Sequence, residues 1–339
     1  MKKITYILLL LSLSLNLFSQ DPQVSQFYFS PYYLAPSFAG YTDGTRISML
    51  YRNQWPKIQK EFITYGFSAD HYFAGLKSGM GIYFMQDKAG VGNLTTQNIA
   101  FSYSYHVSIT KNWYFRPGLQ IYYQSRFLDF SKLTFGDQIS LSGTNPYTIE
   151  TPSMEKIGYF DFATSFLVEY LTSWTGIAID HLATPNQSFY EMNESKIPMT
   201  FKFFGGYKRY QKGDQAKFKE NSITGMFLYK AQGKYDQLDI GGYGVHQPIL
   251  AGLWYRGIPV LKSYKGYQNN EALVFMFGFV NDKFTVVYSY DLTISRLKTN
   301  TGGANEITVN YLFNQNMKLK KKRKKTVVAC PKYDPYQVD

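Results

Sequence analysis

The stretch IAFSYSYHVSITKNWYFRPGLQIYYQSR, residues 99–126, decides the fold. Read with period two, Ile99, Phe101, Tyr103, Tyr105, Val107 and Ile109 share one face, and Ala100, Ser102, Ser104, His106 and Ser108 share the other. Thr110, Lys111 and Asn112 form a turn. The second arm repeats the rule: Trp113, Phe115, Leu119, Ile121 and Tyr123 oppose Arg116, Gly118, Gln120, Tyr122, Gln124 and Arg126. Successive side chains point to opposite faces of a strand, so each arm has one apolar face and one polar or small one. Pro117 has no N–H for a ladder and predicts a bulge. Both arms exceed the ~5–6 residues of an ordinary strand. Long strands with this pattern, ended by aromatics and joined by tight turns, are the mark of a transmembrane β-barrel.

Composition agrees. Aromatics are 18% of the 339 residues, with 31 Tyr and 27 Phe, as aromatic girdles at two membrane interfaces require. A mean hydropathy of −0.28 would by itself point to a soluble protein, but half of every barrel strand faces a polar lumen. Lys2 and Lys3 followed by the apolar run Ile7–Leu17 and by Phe18-Ser19 read as an export signal over residues 1–19. No second apolar run is long enough for a spanning helix. The single cysteine, Cys330, excludes an internal disulfide, and with no cysteine following the signal no lipid-anchored N-terminus is expected. Lys318, Lys320, Lys321, Lys322, Arg323, Lys324, Lys325 and Lys332, less Asp334 and Asp339, leave half of the formal charge of +12 in the tail. Basicity is thus a tail property and does not indicate a nucleic-acid partner.

The chain divides into the signal (1–19), a Pro- and aromatic-rich segment (20–44), a barrel (45–314) and a basic tail (315–339). Pro22, Pro31 and Pro36 keep the segment out of any central strand. It is expected either to plug the barrel, with Phe27, Tyr28, Phe29, Tyr32 and Tyr33 inside, or to cover its periplasmic rim. Candidate strands fall at 45–54, 62–73, 77–87, 94–109, 112–127, 157–170, 173–183, 199–212, 220–231, 234–246, 248–256, 270–280, 283–295 and 304–314. That makes an all-β, antiparallel transmembrane barrel of about 14 strands with both termini in the periplasm. Short connections at 74–76, 110–111, 171–172, 247–248 and 281–282 are expected on the periplasmic side, and long ones at 128–156, 184–198, 257–269 and 296–303 outside. The medium connection 213–219 falls on the side expected to be short.

The sequence holds no GxSxG elbow, P-loop, HExxH or CxxC, so no enzymatic activity, cofactor or metal is expected. His71, His106, His181 and His246 lie singly near strand ends and read as hydrogen-bonding residues of the rim or lumen. The inward rows carry Arg46, Arg52, Arg116, Arg126, Asp70, Asp161, Glu169, Asp180, Asp291 and Glu306. Arg or Lys facing lipid at mid-membrane costs ~2–4 kcal/mol, which puts these charges inside, where mixed signs brace the lumen and hold the N-terminal segment. A hydrolase site would need a nucleophile spaced beside such a pair, and none is evident. The basic run 318–325 reads either as a solvated linker or as a contact for anionic headgroups or an acidic periplasmic protein.

Several pieces together resemble one family. QDPQVSQFYFSPYYLAPSFAG (20–40), TRISMLYRNQWP (45–56), DFSKLTFGDQI (129–139), LWYRG (253–257) and the basic run with CPKY (330–333) resemble the PorP/SprF proteins of the type IX secretion system. Leu34-Ala35-Pro36-Ser37 departs from the Asn-Pro-Ala type of sequence expected there. The resemblance implies a non-enzymatic, multi-pass barrel of the bacterial outer membrane, in contact with its lipid. It further implies that the barrel binds, helps secrete or anchors a surface adhesin, used in gliding and attachment, through the adhesin's C-terminal sorting domain. On that reading Trp55, Pro56, Leu133, Phe135, Asp137 and Gln138 form the outer platform. The tail, with Lys321, Arg323, Cys330, Pro331 and Tyr333, meets the secretion machinery or a peptidoglycan-associated protein. The alternative is a transport barrel for small or hydrophobic solutes, with the N-terminal segment as a hatch.

Overall fold

A computed structural model describes residues 21–313 except 43, 59–61, 91, 141–142, 145–146, 150–153, 191–193, 211–220, 265–266, 282 and 296–300. The export signal, the connection 213–219 and the tail, with Lys321, Arg323, Cys330, Pro331 and Tyr333, lie outside the described residues.

Fourteen antiparallel strands form one closed ring. They are β1 Thr45–Gln54, β2 Phe62–Phe73, β3 Ser78–Ala89, β4 Leu94–Tyr105, β5 Trp113–Phe127, β6 Lys156–Tyr170 and β7 Ser173–Asp180. The ring continues with β8 Thr200–Tyr210, β9 Ser222–Gln232, β10 Tyr235–His246, β11 Ile249–Tyr264, β12 Tyr267–Val280, β13 Phe284–Thr293 and β14 Ala304–Phe313. Each strand pairs with its sequence neighbours, and β1 closes the ring on β14 from Thr45↔Phe313 to Gln54↔Ala304. Closure leaves no unpaired sheet edge, which a membrane requires, since lipid offers no partner for backbone N–H and C=O groups. No described helix is long and apolar enough to cross a membrane; the crossing is made by strands.

The alternation in residues 99–126 settles which way the wall faces. Ile99, Phe101, Leu119 and Ile121 are exposed on the outside, while Ala100, Ser102, Ser104 and Tyr122 are buried within. Pro117 makes no bulge. The register runs unchanged from Ser104↔Gly118 to Val107↔Phe115, and the ladder is merely interrupted opposite the proline, which splits Val107–Ser108 from β4. A missing N–H removes a bond without requiring an extra residue.

Two further expectations are corrected. Residues 257–269 are not a long outer loop: β11 and β12 continue as a hairpin to Tyr264↔Tyr267, with register shifts at Arg256/Gly257 and Ile258/Ser263. Nor is the lumen uniformly polar. Leu167, Trp174, Phe204, Met226, Leu228, Leu250, Trp254, Val274, Met276 and Val287 point inward from β6–β13 and form a core with the N-terminal segment. Runs such as ALVFMFGFV (272–280) are apolar on both faces because one face meets lipid and the other a packed interior.

Candidate functional site

Residues 21–42 run through the cylinder. Asp21 lies at the end carrying the long connections, beside Gln232 and Thr200, and Gly40 lies at the other, beside Asp70. Long connections face the cell exterior in such barrels, so Asp21 stands at the outer mouth and the segment descends to the periplasmic end; the expected periplasmic placement holds for the two strand ends Thr45 and Phe313 and is corrected for Asp21. Pro31 opens a single helical turn, α1 (Pro31–Leu34), and Pro36 opens a 3₁₀ turn, Pro36–Phe38. At these first positions the missing N–H costs no helical bond. The two turns fold the segment into a compact body, and the Tyr33 hydroxyl donates back to the Pro22 carbonyl at 2.7 Å.

One side of this body is apolar. Phe27, Tyr28, Phe29, Leu34, Phe38 and Tyr41 are buried against the inward residues of β6–β13. Tyr28 stacks on Trp254 at 5.4 Å and its hydroxyl donates to the Phe227 carbonyl. Tyr32 stacks on Tyr83, and the Tyr33 carbonyl accepts from Lys202 Nζ at 2.7 Å. The backbone also comes very close to the wall. A Cβ at Gly118 would stand 2.3 Å from the Ser37 nitrogen, and one at Gly79 would stand 2.0 Å from the Ala39 oxygen. Only glycine lets the segment pass there.

The other side is held by a buried ionic latch. Arg52 reaches Glu306 at 2.8 Å and Asp291 at 2.9 Å, while Arg256 reaches Asp239 at 2.7 Å and Asp291 at 3.0 Å. The segment is threaded into this group. Ser25 and Gln26 donate their backbone N–H groups to Glu306, at 2.8 and 2.7 Å. The Ser25 hydroxyl donates to Asp291 and accepts from both Arg52 and Arg256. Elsewhere Arg46 pairs with Asp70, Arg116 with Glu169, and Lys202 with Asp180. Buried charges survive only when paired and hydrogen-bonded, and the segment supplies part of that pairing.

A second latch closes the outer end. Nδ1 of His181 meets Asp161 at 2.8 Å and its Nε2 meets Asp21 at 2.9 Å, with the Tyr122 hydroxyl against Asp161. Burial opposes a charge on His181, but Asp21 and the hydrogen bonds to both carboxylates outweigh it and push its pKa up to about 10. Burial likewise opposes the charge on Asp21; His181 and Lys230 overcome it and hold that carboxyl well below the usual range. Both ring nitrogens are occupied by carboxylates, which leaves neither to take a proton from a substrate. Among the described residues no group of three His, Cys, Asp or Glu side chains is placed to hold a metal.

The expected outer platform is only partly free. Pro56 is exposed, and Trp55 lies half-buried edge-to-face on Phe62 at the rim. Leu133 and Phe135 are half-buried within the loop after β5, where Phe130 packs on both Phe135 and Phe189. The Gln138 side chain accepts the Phe135 N–H, and Asp137 accepts the Ile149 N–H and the Thr148 hydroxyl. These bonds, the Ile149 N–H first, hold the Asp137 carboxyl below the ordinary range. The apolar side chains this loop presents to solvent are instead Ile139, Tyr147 and Ile149.

Sequence reasoning missed Arg256, Asp239, Asp21, Lys202 and Lys230. Arg256 was discoverable, since it shares the inward row of β11 with Leu250 and Trp254. Asp21 carries no periodic signal, and its partner His181 is 160 residues away.

Fold and lumen together define the class: a closed fourteen-strand outer-membrane barrel occupied by its own N-terminal segment. The family follows from a comparison of the chain with known families. Residues 16–311 match the type IX secretion system membrane protein family PorP/SprF, and the chain belongs to it. It is therefore a multi-pass protein of the outer membrane, associated with the type IX secretion system and with membrane lipid. No curated protein sequence matches. Among solved structures it is similar to the monoaromatic hydrocarbon channel CymD at 8% identity, covering 86% of this chain and 94% of that one, with a TM-score of 0.43. It is similar to the P. putida toluene transporter TodX at 9% identity, covering 83% and 93%, with a TM-score of 0.43. It is also similar to the KdgM porin at 8% identity, covering 79% and 99%, with a TM-score of 0.37. Likeness at this level carries no argument about what the present barrel does.

Proposed function

We propose that this barrel is a non-catalytic docking and anchoring protein. On this reading it receives a surface adhesin exported by the type IX system through the adhesin's C-terminal sorting domain and holds it at the cell exterior. The observation that carries the reading is the filled lumen. The N-terminal segment is fastened by an apolar core, by two ionic latches and by backbone contact at Gly79 and Gly118. What such a barrel offers a partner is its outer surface. The loop after β5, with Ile139, Tyr147 and Ile149 exposed among polar residues, has the mixed composition of a protein contact. The basic tail, residues 315–339, then serves as the periplasmic link to the secretion machinery or to a peptidoglycan-associated protein.

The test is native purification from outer membranes of the full chain and of two deletions, 129–150 and 318–339. The first deletion is expected to lose the secreted partner and the second a periplasmic one. Unchanged co-purifying chains in both would sink the proposal. So would solute conductance through the full-length barrel in reconstituted vesicles, equal to that of a barrel lacking residues 20–44.

A further inference from the structure

Asp87 and Arg126 are charged, inward-facing and without an ion-pair partner among the described residues. They sit in one register row at the outer end of the wall: Arg52↔Thr64↔Asp87↔Thr96↔Arg126 across β1–β5. Arg52 is consumed by the latch. Asp87 accepts one hydrogen bond, from Thr64 at 2.6 Å. Arg126, 8% exposed, donates NH1 to the Gln187 side chain and meets no carboxylate of the described residues. Every other arginine described in the lumen, Arg46, Arg52, Arg116 and Arg256, has an acidic partner.

Both residues line one cavity of about 270 Å³ at the outer mouth. Trp55, Phe62, Leu94 and Ile197 give it apolar walls, and Gln54 and Gln124 add amide groups. Asp21 also lines it, but that carboxylate is committed to His181 and Lys230. A buried guanidinium with free N–H donors beside an apolar wall is a carboxylate site, because its planar fork matches the two carboxylate oxygens. Asp87 stands two strands away, about 10 Å at the backbone, and is an acceptor for an N–H donor. A carboxylate bound to Arg126 with an amide N–H directed toward Asp87 is the terminal unit of a peptide.

We propose that this cavity binds the free C-terminal carboxylate of a peptide chain, with the last side chain lying against Trp55, Phe62 and Leu94. The docking proposal enters only as the reason a chain end arrives from outside. The test below uses small probes, so its failure would leave docking by the outer loop standing.

N-acetyl-L-phenylalanine and N-acetyl-L-phenylalaninamide share an apolar body and differ in the carboxylate. Titrated into the full-length barrel in detergent at neutral pH and followed by NMR, the acid is expected to bind at least tenfold tighter. Arg126→Gln should abolish that preference, and Arg126→Lys should keep part of it. 3-Phenylpropionate, a carboxylate without the amide, reports on the source of the ligand. It should bind several-fold more weakly than N-acetyl-L-phenylalanine, and Asp87→Ala, which removes the acceptor, should erase that gap. Equal binding of acid and amide to the unaltered barrel overturns the site, as does an undiminished preference in a folded Arg126→Gln protein. Equal binding of the two acids overturns the peptide end and leaves a small organic acid as the ligand.

Discussion

Ser25 shows how one small side chain serves a whole assembly. Its hydroxyl lies between Arg52, Arg256 and Asp291, and its N–H meets Glu306. Ser25→Ala removes the hydroxyl but keeps the ions paired, so a loss of about 1–3 kcal/mol is expected. Arg52→Met leaves Glu306 and part of Asp291 uncompensated and should cost about 3–5 kcal/mol. Urea unfolding followed by tryptophan fluorescence would order the two; equal midpoints would contradict this account of the latch. His181 makes a different prediction. Its pKa is raised from 6.5 to about 10, so its contribution is complete below pH 6.5 and fades as pH climbs through 10. Asp21 is lowered from 3.8, so its contribution is complete above that value and fades toward acid. Amide exchange protection over residues 21–29, corrected for intrinsic rate, should therefore be highest between about pH 4 and 6.5 and fall steadily toward pH 10. His181→Gln should flatten the alkaline limb.

Among the elements, wall and lumen segment have different requirements. The wall is held by its ladders, whose register absorbs even Pro117 without shifting. The segment is held by side chains and by the absence of a Cβ at two wall positions. Gly118→Val would set new atoms against Pro36 and Ser37 while leaving the β4–β5 and β5–β6 ladders formed. The expected product is a closed barrel, still resistant to unfolding on a gel without heating, whose residues 21–44 become open to protease. A variant with the segment still protected would show that the wall yields instead. The alternation that locates β5 in the sequence says nothing of this contact, because Gly118 meets Ser37 across 81 residues and only the folded ring brings them together.

At the scale of the molecule, the exterior has three surfaces of different chemistry: an apolar belt for lipid, an outer crown of loops, and a periplasmic rim. Tyr147→Asp with Ile149→Asp on the crown is expected to leave unfolding midpoints within about 0.5 kcal/mol of the parent, since both side chains are largely exposed. The same pair should reduce recovery of the secreted partner in pull-downs; full recovery would move the docking surface elsewhere on the crown.

Sequence alone determined the cylinder. Strand number, the face turned to lipid and the inward placement of Arg46, Arg52, Arg116 and Arg126 all follow from a period-two pattern that each strand carries locally. The tertiary structure decided what the inside does. Glu306 meets Ser25 across 281 positions, Arg256 joins a latch that no spacing announces, and half the lumen is a packed core. Among the described residues Arg126 is left without an acid at the outer mouth. The physical reason is range: alternation is set by neighbours along one strand, whereas the pairing of buried charges depends on which strands the closed ring brings face to face and on what threads between them.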